Sequence, residues 1–220
     1  MNAIPDESRL LDRAAALVEA AKRAGSDAAD AVAVRSMSLG VEVRDGAVTE
    51  TERAESDRLS LRVFVGKRNA SVNSNVLDNP AALAERAVAM ARTAPENPYA
   101  GLADPDRLAT TFPALDLLDG EIPSSETLVE RARAAEAAAL AVQGVTRSGG
   151  ASASWSLGGL VLVTSHGFSG SHLRSGHSVS LSAIAGEGTG MERDYDSAAK
   201  THAADLPDPA EIGRRAGERA

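Results

Sequence analysis

The sequence predicts an α+β protein: two successive helix–antiparallel strands–helix units joined by a proline-rich connector. Three observations carry this expectation. Apolar residues recur at helical spacing in separate stretches near 10–21, 83–94, 128–142 and 209–220. Between these stretches the chain alternates apolar with small or polar residues, most persistently across 148–195, as strands do. Five of the nine prolines fall between 95 and 123, where both periodicities vanish.

The first helix is expected over 9–24. Leu10, Ala14, Leu17, Val18 and Ala21 share one face, Asp6 can cap the first turn and Gly25 ends it. Strands follow at 31–35 and 41–44, and Asp45-Gly46 is a strong two-residue hairpin signal. A second meander places Leu59, Leu61, Val63 and Val65 on one face, turns near Gly66-Lys67 and returns through 70–72. Asn79 followed by Pro80 opens another helix, because proline at the first helical position gives up an amide with no partner to lose. Its buried stripe is read as Leu83, Ala87, Met90, Ala91 and Ala94.

After the connector, Ser124 or Ser125 caps a helix with the stripe Leu128, Ala132, Ala135, Ala139 and Val142, ended by Gly144. The stretch 148–195 then carries glycine at 149–150, 158–159, 167, 170, 176, 186, 188 and 190, which rules out a helix and implies closely spaced turns. Asp208-Pro209-Ala210-Glu211 reads as a capping box opening the last helix. The expected division is a first unit at 1–94, a connector at 95–123 and a second unit at 124–220.

Bulk composition narrows function. A net charge of −8, with a pI near 5.1, disfavours nucleic acid and anionic membrane as direct partners. With no cysteine, disulfides and thiolate metal sites are excluded. The N-terminal MNAIPDESRL lacks the apolar core of a signal peptide, and no apolar run reaches membrane-spanning length. A soluble cytoplasmic protein is expected.

No catalytic constellation stands out. His166, His172, His177 and His202 are each followed by a residue other than glutamate, so none opens an H-E-x-x-H zinc site. His172 and His177 have opposite strand parity, and ordinary polar-face histidines are the favoured reading. The run 167–171 (GFSGS) nearly matches a nucleophile elbow at Ser169, but its fifth residue is Ser171 and it lies between strands, so a tight turn is preferred. The run 186–190 (GEGTG) has the wrong glycine spacing for a phosphate cradle. Glu192, Asp194 and Asp196 would share one face of a strand, with Arg193 and Tyr195 on the other. They either raise one another's pKa, bind a cation or sit in water, and the solvated face is favoured. Glu50 and Glu52, like Glu55 and Asp57, read as an exposed sheet face or edge.

Several blocks carry a resemblance to one family: VEVRDG at 41–46, LRVFVGKRNASV at 61–72, ERAVAMARTAPENPYAGLADP at 85–105, GASASW at 150–155, SHGFSG at 165–170, AGEGTGMERDYD at 185–196 and IGRRAGERA at 212–220. The chain resembles the TldD/PmbA family, in its PmbA (TldE) branch. The resemblance implies a non-catalytic subunit of a TldD/TldE-like zinc metalloprotease that processes unfolded peptides in the cytoplasm. The TldD-type partner of this heterodimer would carry the zinc motif H-E-x-x-x-H, so no catalytic or metal residue and no cofactor is expected in this chain. It also implies a further, mainly β domain after residue 220, in a protein about twice as long, and leaves self-association of this piece open.

Strands such as 175–182, rich in serine, are expected to accept an extended peptide at a sheet edge. Two other readings stand beside this one. The first is a hydrolase active alone, through Ser169 with a nearby histidine or through Glu192, Asp194 and Asp196 with a metal. The second is a binding module that modulates DNA gyrase without proteolysis.

Overall fold

Asp6 opens the first helix as expected: its carboxylate accepts from the amides of Ser8 and Arg9, and α1 runs Glu7–Arg23. The structure, a computed structural model, describes residues 6–76 and 79–220. The start of the segment read above as lacking a leader, 1–5, lies outside the described residues. The other elements are β1 (Ala28–Arg44), β2 (Ala47–Val65), β3 (Arg68–Ser74), α2 (Pro80–Thr93), α3 (Ser125–Leu140), β4 (Val145–Thr164), β5 (Ser169–Ala185), β6 (Glu192–Lys200) and α4 (Pro209–Arg219). The strands form a six-stranded antiparallel sheet in the order β3-β2-β1-β4-β5-β6. The fold is α+β.

The strands are longer than the sequence pattern indicates. β1, β2, β4 and β5 contain 17, 19, 20 and 17 residues, and at about 3.3 Å per residue each extends well beyond a typical strand. This length changes how the chain divides. One compact unit comprises 1–36, 55–115 and 158–173; the other comprises 37–54, 116–157 and 174–220. The units interleave along the chain, whereas the division expected from helices and prolines was consecutive.

In the first unit α1 and α2 supply Leu10, Leu17, Val18, Ala87 and Val88 to a core closed by Ala29, Ala31, Ala33, Leu59, Leu61, Val63, Val72 and Val161. Gly66, with φ of +56°, turns β2 into β3. Asn79 accepts from the Ala82 amide at 3.0 Å, as an N-cap should. The stripe of α2 is corrected in part. Ala84, Ala87, Val88 and Ala91 are buried, while Met90 is 42% exposed and Ala94 is the C-cap. At about 100° per residue, Met90 lies roughly 110° around the helix from the centre of that buried stripe, so its side chain faces outward.

In the second unit α3 and α4 pack on Val41, Val43, Ala151, Ala153, Val179, Leu181 and Ala183. Asp45 and Gly46 both have positive φ (53° and 75°), the geometry of the predicted hairpin turn. Ser124 caps α3 through the Thr127 amide, and Asp208 caps α4 through the Ala210 amide. The capping box at 208–211 is only half formed, because Glu211 turns toward Arg214 at 2.7 Å rather than back over the cap. Most of the connector has no regular structure, apart from a short 3-10 turn at Pro105–Arg107.

Candidate functional site

His177 is where the sequence reading fails most clearly. It is 1% exposed, not on a polar face, because it shares the parity of Val179, Leu181 and Ala183 on β5. Its Nε2 lies 3.1 Å from Asp119 Oδ2, close enough for an ion pair but poorly aligned for a hydrogen bond, and Nδ1 has no partner among the described residues. Burial pushes the imidazole's pKa down. Asp119 opposes that shift and Arg131 reinforces it.

Asp119 anchors the end of the connector. Its Oδ2 accepts from the Ala203 amide at 2.7 Å and its Oδ1 from the Glu121 amide at 2.9 Å. Those two amides hold its carboxyl below the usual range. The Asp119 amide donates to Ser175 Oγ at 2.7 Å, and the Ser175 amide donates to the Leu117 carbonyl.

These groups make stability depend on pH with a defined sign. His177 is neutral in the fold, so between its lowered folded pKa and the ordinary value near 6.5 the unfolded chain binds more protons. Stability is therefore lost as pH falls below about 6.5. His202 acts oppositely. Its Nε2 donates to the Asp116 carbonyl at 3.0 Å, which raises its pKa, and its contribution is lost as pH rises through that raised value. Urea midpoints measured from pH 7.5 to 5.5 should decline in the wild type, decline less in His177→Leu and decline more in His202→Asn. An unchanged slope in His177→Leu would contradict this assignment.

His166 and His172 are exposed and His202 is partly exposed. No group of three or more His, Cys, Asp or Glu side chains arranged to hold a metal ion occurs among the described residues. Ser169 begins β5 after a turn in which Gly167 has φ of +90° and the Thr164 amide donates to the Phe168 carbonyl. That is a hairpin, not the strand-to-helix elbow that presents a nucleophile. At 186–190, Gly188–Gly190 forms a 3-10 turn, and a Cβ on Gly186 would stand 2.4 Å from the Gly190 carbonyl oxygen. Glycine there serves chain packing.

The acidic row divides by role. Register pairs Asp194 with Ala183 and Asp196 with Leu181, so both face the helices, while Tyr195 pairs with Ser182 on the other face. Asp196 meets Arg215 Nε at 2.7 Å and Arg219 Nη1 at 3.2 Å, both from α4. Burial raises the pKa of its carboxyl, but the Arg215 hydrogen bond, the Ser197 amide and the charges of Arg215 and Arg219 together outweigh it, and the net shift is downward. Asp196 is therefore an ion-paired anchor for α4, not part of a solvated face. Glu55 and Asp57 lie within ion-pair distance of Arg35.

The edge proposed for a peptide is also corrected. β5 is bonded to β6 from His177 to Ala185 and to β4 on its other side, so most of 175–182 has no free edge. The edge strand in this unit is β6.

The sequence reading missed a groove on the sheet face of the second unit that turns away from α3 and α4. It is about 290 Å³ and is lined by Glu42 of β1, by Gly149, Gly150, Ala151 and Ser152 of β4, by Ser180, Leu181 and Ser182 of β5, and by Arg193 and Tyr195 of β6. A second hollow of about 190 Å³ adjoins it, sharing Glu42 and Ser152 and adding Glu50 and Glu52. Serine pairs bridge the strands, Ser152 to Ser180 at 2.9 Å and Ser154 to Ser178 at 2.8 Å. The sequence signal was present: serines alternate with buried apolar residues on both β4 and β5.

Helices on a long antiparallel sheet, with a polar open face in one unit, define a class of α+β scaffold that solved structures share. The chain superimposes on a protein from Bacteroides thetaiotaomicron, named as a proposed modulator of DNA gyrase, with a TM-score of 0.88 at 24% identity, covering 98% of this chain and 49% of that one. TldE from Thermococcus kodakarensis matches with a TM-score of 0.76 at 18% identity, over 92% of this chain and 46% of that one. These likenesses establish the fold.

Family models establish more. The PmbA/TldA metallopeptidase central domain matches 119–220, and domain 1 of the same family matches 29–91. The chain belongs to the PmbA/TldD metallopeptidase family. It is 32% identical over 192 residues to metalloprotease PmbA of Escherichia coli O157:H7, covering 86% of this chain and 42% of that protein. To the metalloprotease PmbA homolog of Haemophilus influenzae it is 30% identical over 216 residues, covering 97% and 48%. The chain thus spans less than half the length of these curated relatives.

Proposed function

We propose that this chain is part of a non-catalytic PmbA/TldE-type subunit, which pairs with a zinc-bearing TldD-type partner to process unfolded peptides in the cytoplasm. The observation that carries this reading is the family match across both domains, together with relatives named PmbA and a like-folded protein named TldE. The groove fits the same role: its lining is rich in serine and glycine, which offer hydroxyls and backbone to a peptide with few bulky side chains between. Zinc in this scheme resides in the partner, and this chain contributes sheet surface and binding groups.

The test uses the full-length protein, alone and mixed with a TldD-type partner, with zinc analysis and cleavage of an unfolded casein-like substrate. Cleavage in the mixture, with neither this protein alone cutting nor zinc bound to it, is the expected result. Zinc-dependent cleavage by this protein alone would replace this reading with that of an independent hydrolase. No cleavage in any combination would favour a binding module.

A further inference from the structure

The groove on the second unit's open sheet face is charged oppositely at its two ends. Glu42 stands on β1, and Glu50 and Glu52 lie beyond it on β2. Across β4 and β5, Arg193 and Tyr195 stand on β6. Among the described residues none of these three carboxylates has an ion-pair partner. Arg193 donates from Nε to Ser182 Oγ at 2.8 Å, which orients the guanidinium while its two terminal nitrogens keep donors for a ligand. Tyr195 is 67% exposed.

The floor between these ends is built low. A β-bulge at Gly149-Gly150 changes the burial parity of β4, from Ser148 before it to Ala151 and Ala153 after it, and Gly150 has φ of +118°. A Cβ on Gly149 would stand 2.9 Å from Ser182 Oγ, so glycine keeps that part of the floor open. In each serine pair one hydroxyl donates to the other, which leaves one O–H and spare lone pairs per rung. Those groups can meet a peptide backbone without reading its side chains.

The span sets the ligand's length. Glu42 and Arg193 lie three inter-strand steps apart across the sheet, about 14 Å at 4.7–4.9 Å per step. They are also offset along it: Gly40 faces Ser154, Ser152 bonds Ser180, and Arg193 pairs with Ile184 while its Nε reaches back to Ser182. An offset of about two residues brings the span to about 16 Å. An extended peptide advances about 3.3–3.6 Å per residue, so about five residues fill the distance. We infer that this groove binds short peptides with both termini free, of about five residues, with the ammonium group at Glu42 and the carboxylate at Arg193 and Tyr195. This deepens the peptide-processing reading and rests on it: short, free-ended peptides are what such a protease releases.

Calorimetric titration of the wild-type chain with penta-alanine, its N-acetyl form, its C-terminal amide and the doubly capped form tests this without any cleavage. Each single cap should weaken binding about tenfold, the order of one charge-assisted contact. Arg193→Gln should erase the difference between acid and amide while keeping that between amine and acetyl, and Glu42→Gln should do the reverse. Equal binding of all four peptides, or binding of none, overturns the inference. So does loss of both differences together in either variant, with circular dichroism reporting that the variants are folded. The mixed cleavage assay judges the subunit reading separately: cleavage in the mixture combined with indifference to capping would sink this site alone.

Discussion

Gly213→Ala should destabilise the second unit by on the order of 3 kcal/mol, although helix propensity alone predicts the opposite sign. Gly213 lies inside α4, where alanine would stabilise an isolated helix by about 1 kcal/mol. A Cβ at that position would stand 1.9 Å from the Ala135 carbonyl oxygen, 2.7 Å from its carbon and 3.0 Å from its Cα. These are backbone atoms of α3, and no side-chain rotation relieves the clash. α4 must move away, which would pull Ile212 and Ala216 out of the core that α3 and α4 share with β1, β4 and β5. Gly217 sits one turn later, but its Cβ would meet the Val142 side chain at 2.9 and 3.0 Å and the Ala139 carbonyl oxygen only at 3.1 Å, a milder overlap than at Gly213. Gly217→Ala should therefore cost less, about 1 kcal/mol.

Gly120→Ala, in open space, provides the control and should change stability by less than about 0.5 kcal/mol. Guanidinium denaturation of the three variants checks the order. A Gly213→Ala protein as stable as wild type would mean that α3 and α4 do not approach this closely.

How far the sequence discloses such features depends on whether the signal is local. The Asp45-Gly46 turn, the Asn79-Pro80 and Ser124 caps and the stripe of α1 are all written in adjacent residues, and the structure contains each of them. His177 was also legible, since strand parity places it with Val179 and Leu181. Treating histidine as a polar-face residue outweighed that parity. Asp119 was not legible, because its partners Ser175, His177 and Ala203 are 56 to 84 residues away for those with hydrogen bonds. The full length of β2 was hidden for a different reason. The middle of β2, such as Glu50, Thr51, Glu52 and Arg53, is polar on both faces and lacks the alternation that identifies a strand, whereas in β1 Met37 and Leu39 do alternate with Ser36 and Ser38 and that signal was passed over. The groove has an intermediate status: its serines and glycines are visible in sequence, but only the sheet order brings Glu42 and Arg193 to the two sides of one face.

Glu136→Ala should cost about 3 kcal/mol, the second-largest effect expected, for a residue that looks at first like an ordinary charged position on a helix. Its side chain enters the apolar stripe of α3, one turn from Ala132, and the residue is 2% exposed. There it accepts hydrogen bonds from two successive amides of the β1–β2 turn, Asp45 at 3.0 Å and Gly46 at 2.7 Å. Arg133 adds a bond from Nε to the Gly46 carbonyl at 3.1 Å. A turn with two positive-φ residues directs its amides inward, and without an acceptor they would be left partly buried and unpaired. The carboxylate supplies both acceptors at once and fixes α3 against the hairpin.

Alanine removes both bonds, at about 1.5 kcal/mol or more for each bond to a charged group. Glutamine keeps one acceptor but turns an NH2 toward the second amide, so Glu136→Gln should fall between alanine and wild type. In thermal unfolding, alanine should lower Tm by roughly 6–12 °C at 2–4 °C per kcal/mol for a chain of this size. Hydrogen exchange adds a local readout: the Asp45 and Gly46 amides should lose protection in Glu136→Ala before the amides of α1 do. If those two amides exchange as slowly in the alanine variant as in wild type, the turn does not depend on Glu136.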